Sequence, residues 1–300
     1  MPLLKTEAEK LSQNVLVQGV IEEIIERDDL FAVLPFLGVE GKSYDYVREN
    51  TLSEGSFIDP YEVVPEGAAD FSEVSAKLKI LAGDVDVDKF LMTTMGDTNS
   101  QLTEQLAAKA KGIGRAFRRT LAVGDSATNP KEFDGIAALT AADQKITAGA
   151  NGAALDLGML DELLDAVPNG ADAIMMRSGT VRALRAHLRT VGGLEPAHVM
   201  MENFGRPMLT HNGVPIIVND FLPGNEVQGT SSDTCSIYAM RLNTADGFHG
   251  IFGGDSAGVQ FEEVGTVQDK DAYRYRLKWY AATALKSTKS LSAIKGITNI

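Results

Sequence analysis

The sequence predicts an α+β protein. Three observations carry that reading: a long amphipathic helix at residues 97–124, alternating stretches before it and near the carboxyl end, and a helix–strand–helix rhythm in the second half. At about 100° per residue, Leu102, Leu106, Ala110, Ile113, Phe117 and Leu121 form one apolar stripe, and Lys111, Arg115, Arg118 and Arg119 gather opposite it. Thr98 with Gln101 fits a capping box, and Gly124 stands where a left-handed carboxyl cap is expected. With a rise of ~1.5 Å per residue the helix is roughly 38 Å long, which is unusual in a globular domain.

The 300 residues are 44% hydrophobic, enough for one large domain or two modest ones. The formal charge of −13 excludes nonspecific nucleic-acid binding as the main task, because such binding draws on cations to replace phosphate counterions. The single cysteine, Cys235, lies in an apolar alternating run, so it reads as a buried structural thiol in a reducing compartment. Residues 1–10 are polar and acidic, unlike a signal peptide, and no apolar run approaches the ~18 residues of a membrane span; a soluble cytoplasmic product is expected.

In chain order, residues 6–28 read as a helix opened by Thr6 and Glu9, with Leu11, Val15, Ile21, Ile24 and Ile25 on its apolar side. Residues 30–39, interrupted by Pro35, read as an extended strap that a monomer would protect poorly. Residues 41–74 place Tyr44, Tyr46 and Val47 on a strand, then pass through Gly, Ser, Pro and acids before alternation resumes at Val74. Nine acids (Glu40, Asp45, Glu49, Glu54, Asp59, Glu62, Glu66, Asp70 and Glu73) face only Lys42 and Arg48 there, so the expectation is an acidic, two-stranded arm. Val74, Leu78, Ile80, Ala82, Val85 and Val87 alternate as one bent strand leading to the long helix.

After the helix, Asn129-Pro130 marks a turn and residues 133–136 start a short extended piece, followed by an Ala/Gly/Asn-rich boundary at 141–154. Residues 156–167 form a helix with Leu157, Leu160, Leu163 and Leu164 inward; residues 173–176 form a strand. Ser178 caps a further helix carrying Val181, Leu184, Leu188 and Val191. Residues 208–211 and 214–218 flank Asn212-Gly213, a strong hairpin signal. Residues 235–242, 259–264 and 273–280 are further strands, and the tail 281–300 reads as polar with scattered apolar residues.

Gly254-Asp255-Ser256-Ala257-Gly258 matches the nucleophile-elbow pattern, which would make Ser256 a hydrolase nucleophile. A strand follows it where a helix is needed, and the last histidine, His249, precedes it, so a turn is the better reading. Gly112-Ile113-Gly114 lies inside the long helix and permits a bend or close packing there. His187, His198, His211 and His249 show no ligand spacing, and neither metal, cofactor nor catalytic residue is assigned. The cations of the long helix have a plain reading as solvated complements of its dipole. Alternatively Arg115, Arg118 and Arg119 grip the acidic arm of a neighbouring copy.

The order of parts resembles the major capsid proteins of tailed bacteriophages, with their Hong Kong ninety-seven-type shell fold. Carrying the resemblance are the arm, the acidic loop, the long helix, Phe133-Asp134-Gly135-Ile136, the α/β segment and the late strand pair. Local echoes are Lys77-Leu78-Lys79-Ile80-Leu81 before Val85-Asp86-Val87, Gly213-Val214-Pro215-Ile216-Ile217, and Tyr273-Arg274-Tyr275-Arg276. The resemblance implies an amino-terminal arm at 1–39 and an extended loop at 40–74. It also implies a peripheral domain at 75–149 and 250–280, with the long helix as spine, and an axial domain at 150–243 and 281–300. It implies a non-enzymatic head protein of the virion, assembled in the host cytoplasm into hexamers and pentamers of an icosahedral shell around double-stranded DNA. The implied partners are further copies of itself, a separate scaffolding protein (or a precursor already trimmed), a portal and a decoration protein. Some members join a loop lysine to a neighbour's asparagine; Lys42, near the loop base, is the only lysine here, so that chemistry is not carried over. An encapsulin-like nanocompartment shell, holding protein cargo, is the alternative within the same fold.

Overall fold

The computed structural model describes residues 33–51, 55–64, 66, 68, 70–89, 98–190, 198–200, 207–254 and 258–299. The helix expected at 6–28, Glu54 and Ser256 lie outside these residues, as do the side chains of Thr98, Gln101 and Leu102. The chain opens with β1 (Phe36–Val39), β2 (Ser43–Thr51), β3 (Asp70–Lys77) and β4 (Lys79–Asp88), then α1 (Thr98–Val123) and α2 (Ile136–Leu139). There follow β5 (Lys145–Thr147), α3 (Leu157–Asp165), β6 (Ala173–Met176), α4 (Ser178–Thr190), β7 (His198–Met200), β8 (Pro207–His211) and β9 (Val214–Val218). The remaining strands are β10 (Glu226–Gln228), β11 (Ser231–Met240), β12 (Phe248–Gly253), β13 (Gln260–Thr266), β14 (Ala272–Leu285) and β15 (Leu291–Ile297).

β14 organises the first sheet. It pairs antiparallel with β4 from Ala272–Asp88 to Ala281–Lys79, and with β13 and then β12 along its other edge. Its odd-numbered residues face α1. The predicted stripe supplies the contact: Leu106, Ile113, Phe117 and Leu121 are all buried, and Phe117 lies 4.6 Å from Trp279 and 5.2 Å from Phe133 between ring centroids. The stem of Lys109 lies over Gly83 of β4; a Cβ there would come within 2.1 Å of Lys109 Cε, so the lysine would have to swing aside.

The second sheet runs β5-β15-β11-β6-β9-β8-β7, with β10 beside β11. Its central strands, β15, β11 and β6, are buried on both faces. Ile174 and Met176 of β6 pack with Leu160 and Leu163 of α3 and Val181 and Leu184 of α4, whereas Ala173 and Met175 point into the core beneath α1. Ile237 and Tyr238 of β11 divide in the same way. A strand buried on both faces loses its polar alternation, which is why Ala-Ile-Met-Met is apolar throughout. At Asn212-Gly213 both residues have positive φ, 48° and 82°, as a two-residue hairpin of the I′ type needs.

Several expectations are corrected. The strap is not left for a neighbour to cover: β1 pairs parallel with β12 of its own chain, and Phe36 lies 5.9 Å from Trp279. Gly124 is not a left-handed cap. A Cβ there would meet Phe133 O and Thr120 O at 2.4 Å, so the glycine permits a close backbone approach instead. Residues from 136 form a helical turn, not an extended piece. The tail contains buried strand: β14 continues to Leu285, and β15 lies between β5 and β11. The chain passes from the first sheet to the second before β5 and again after Leu285.

These close approaches predict opposite outcomes for two helix glycines. Gly124→Ala should lose about 1–3 kcal/mol from overpacking. Gly112→Ala, with open space around its Cβ, should gain about 0.5–1 kcal/mol through helix propensity. Urea unfolding of the two variants measures both.

Candidate functional site: the projecting arm and the basic helix face

β2 and β3 pair antiparallel from Ser43–Lys77 to Thr51–Asp70, forming the expected two-stranded arm. Its root is seated on the end of the first sheet. The Tyr46 hydroxyl donates to the Leu285 carbonyl at 2.6 Å, and the Arg48 guanidinium donates to Leu285 O at 2.7 Å and Lys286 O at 2.8 Å. The Leu78 amide donates to Lys42 O at 3.0 Å, which closes the arm's base. Small residues make the seat: Tyr44, Tyr46, Ala76 and Leu78 pack over a surface that includes Ala282, Ala284 and Gly253, and a Cβ on Gly253 would meet Leu78 at 2.8 Å.

The far end is different. Phe57 and Tyr61 are fully exposed, at 107% and 105%, and Ile58, Val63 and Val64 are exposed beside them. Glu49, Asp59, Glu62, Glu66 and Asp70 are exposed along the same arm. Among the described residues nothing covers this apolar tip, which is ringed by acids and held by a fixed root.

The basic face of α1 is divided. Arg118 donates to the Val218 carbonyl at 3.1 Å, and the Arg115 guanidinium lies 5.6 Å from the Phe221 ring, so both cations engage the loop after β9. In that loop Asp220 accepts from the backbone amide of Ser178 at 2.9 Å. The carboxylate capping α4 is therefore Asp220, where the sequence suggested the Ser178 side chain. The Ser178 hydroxyl first, then this amide bond and the charges of Arg177 and Arg118, hold the Asp220 carboxyl below its ordinary value. Arg119 and Lys111 are exposed.

Sequence reasoning missed an ion-pair ladder on the opposite face of the first sheet. Arg274 grips Asp86 through two bonds of 2.7 and 2.8 Å, Arg276 grips Asp84 at 2.7 and 2.9 Å, and Lys278 reaches Glu262 at 2.7 Å. The arginine hydrogen bonds hold both aspartates below the usual carboxylate range. The signal was present in Asp84-Val85-Asp86 and Arg274-Tyr275-Arg276, whose charges alternate in phase. Such exposed pairs add little stability singly. Beyond the ladder, Ile80 is 72% exposed, and a groove of about 840 Å³ runs past Val39, Leu78, Ile80, Phe252 and Tyr280.

The remaining candidates do not converge. His187 bonds Asp156 and His211 bonds Asp161, each alone, while His249 is buried under the arm's root. Among the described residues no group of three His, Cys, Asp or Glu side chains could hold a metal ion. Cys235 is buried, 3.2 Å from the Thr180 hydroxyl, and burial pushes its thiol up.

No protein-family model and no curated protein matches the chain. Solved structures do match over almost its whole length. The holo-SrpI encapsulin complex of Synechococcus elongatus aligns with TM-score 0.71 at 20% identity, over 91% of this chain and 89% of that one. The capsid of an empty GTA particle aligns with TM-score 0.67 at 15% identity, over 91% and 90%. A structure from Mycobacterium phage Bobi aligns with TM-score 0.60 at 16% identity, over 89% of each. The α+β chain has the Hong Kong ninety-seven-type capsid fold, as its order of parts suggested.

The Asp220 cap yields a prediction with a sign. Its carboxyl is depressed in the fold, so its contribution is present above the unfolded carboxylate value near pH ~4 and is lost as pH falls through the folded one. Asp220→Ala should lower stability by about 1 kcal/mol at pH 7, and the difference from the parent should shrink in acid. Urea melts at pH 7 and pH 3 test it.

Proposed function

We propose that this chain is the major head protein of a tailed phage: a subunit that closes, in hexamers and pentamers, into an icosahedral shell around double-stranded DNA. The observation that carries this is the arm, whose root is fixed in its own chain and whose apolar tip is fully exposed, on a fold shared with shell proteins. In this reading residues 40–74 are the extended loop that reaches a second copy. The first sheet with α1 is the peripheral domain, and the second sheet with α3 and α4 is the axial domain. The role is structural, and the location is the virion shell.

The charge-pairing hypothesis narrows. Arg115 and Arg118 have partners in their own chain, so the exposed cation of this face that a neighbour's Glu49, Asp59, Glu62 and Glu66 would meet is Arg119. A triple arginine reversal would damage the subunit as well as any interface. A scaffolding protein, a portal and a decoration protein are the further partners this role calls for, and the DNA would be enclosed without sequence-specific contacts.

One observation favours a second reading. The encapsulin match has the higher TM-score, 0.71 against 0.60 for the phage structure. That alternative is a nanocompartment shell with protein cargo.

Electron microscopy of the purified chain, alone and with a co-expressed scaffold, is the test. Closed icosahedral shells are expected, and deletion of the arm tip, residues 55–64, should abolish closure while leaving the folded subunit. Particles carrying nuclease-protected DNA support the head protein, and particles with a protein filling support the compartment. Monomers under every condition would overturn both.

A further inference from the structure

His249 lies at the point where the arm meets the first sheet. It projects from β12 on the face that the arm covers, fully buried, with its ring edge-on to Tyr44 of β2 at 5.9 Å between centroids. Nδ1 is 3.2 Å from the Gly247 carbonyl, and Nε2 has no hydrogen-bond partner. A neutral ring fits this site. An imidazolium would carry two N–H donors into a site that offers an acceptor to one.

The charged groups nearby offer no compensation. The Lys286 ammonium sits 5.7 Å from the centre of the Tyr44 ring, and the Arg48 guanidinium is bound to the Leu285 and Lys286 carbonyls. Both are cations. Tyr46, the other titratable group of the root, uses its hydroxyl on Leu285 O, and burial raises its pKa further from neutral. The one carboxylate of the adjoining turn, Asp246, is taken by Arg241, Asn243 and Asn169. Its own pKa is lowered by those bonds, so it stays ionised and engaged.

We propose that His249 is an acid-sensitive latch: protonation in mild acid lifts the root of the arm, Tyr44, Tyr46 and Arg48, from the end of β14. Burial lowers the His249 pKa in the seated state and, with the Lys286 charge, outweighs the Gly247 and Asn243 carbonyls, which favour the protonated ring. The released state, with the ring in water, titrates near the ordinary value of ~6.5. Above that pH both states are neutral and the arm stays seated. Below it the released state takes up the proton first, so seating weakens by up to about tenfold per pH unit until the seated ring also protonates. The consequence for a shell rests on the proposed function: acid would free the arms to change their angle or their partner. The latch itself is a property of the single chain.

Hydrogen–deuterium exchange of the full-length, unassembled chain tests it, corrected for the intrinsic pH dependence of exchange. Protection of residues 43–51 and 70–77 should fall severalfold between pH 7.5 and 5, while residues 231–240 stay protected and Cys235 stays closed to thiol reagent. His249→Asn should remove the pH dependence. Lys286→Gln, which leaves the histidine in place, should move the transition to lower pH and serves if the first variant does not fold. An arm whose protection is independent of pH overturns the latch. So does a loss that His249→Asn reproduces unchanged, or one that opens residues 231–240 at the same pH. A chain that shows the latch but never forms shells would overturn the shell reading and leave the latch standing.

Discussion

The contact between Phe117 and Trp279 is the constraint on which the rest of the molecule depends. Phe117 comes from the middle of the long helix and Trp279 from the middle of β14, with 4.6 Å between ring centroids. Phe133 and Phe36 complete the cluster, so the loop after the helix and the strap before the arm are set by the same packing. Each such pair adds roughly 0.5–1.5 kcal/mol to the burial of its rings. Geometry matters more. β14 carries Trp279 on one face and, six residues on, offers the Leu285 carbonyl to Tyr46 and Arg48. One strand thus positions both the spine helix and the arm.

Some of this was legible in residue spacing, and some was not, for identifiable reasons. The helix could be read because Leu106, Ile113, Phe117 and Leu121 face a core while the other side meets water, and the Asn212-Gly213 hairpin because its turn needs positive φ at two successive residues. β15 could not, because Leu-Ser-Ala-Ile-Lys-Gly-Ile lies inside a sheet covered on both faces and keeps no period of two. Gly124 was assigned to a left-handed cap from local rules alone, whereas a carbonyl nine residues away is what excludes a side chain there. The basic face of the helix is the same kind of case. Four clustered cations do not disclose that a loop a hundred residues later supplies the partners of two of them.

A two-stranded ribbon on its own is marginal in water, and this one does not stand alone. Its root is held by an arginine and a tyrosine on backbone carbonyls, by aromatic rings over alanines and by Leu78 against a glycine. These arrangements fix direction more than they add stability. Among the described residues nothing covers Phe57 and Tyr61 at the tip, and an exposed apolar cluster of this kind is where a partner would bind. Asp59, Glu62 and Glu66 beside those rings repel the same tip on another copy. The tip therefore favours a surface unlike itself, as an arm reaching the body of a second subunit would find.

Charge then takes a different part in assembly from the one first suggested by the basic helix face. Arg115 and Arg118 are used inside the subunit, and Arg274, Arg276 and Lys278 are paired to acids across the first sheet, so these five cations are already engaged before any acidic arm arrives. Exposed ion pairs contribute about 1 kcal/mol or less each and weaken with salt. Burying even two aromatic side chains of the tip contributes several times as much, at roughly 1.5–3 kcal/mol for each large apolar side chain. In a shell built from this subunit the apolar tip would therefore supply the adhesion. The acids around it would govern which surface it meets, and the uncompensated charge of −13 would keep the inner wall from holding a nucleic-acid content in place.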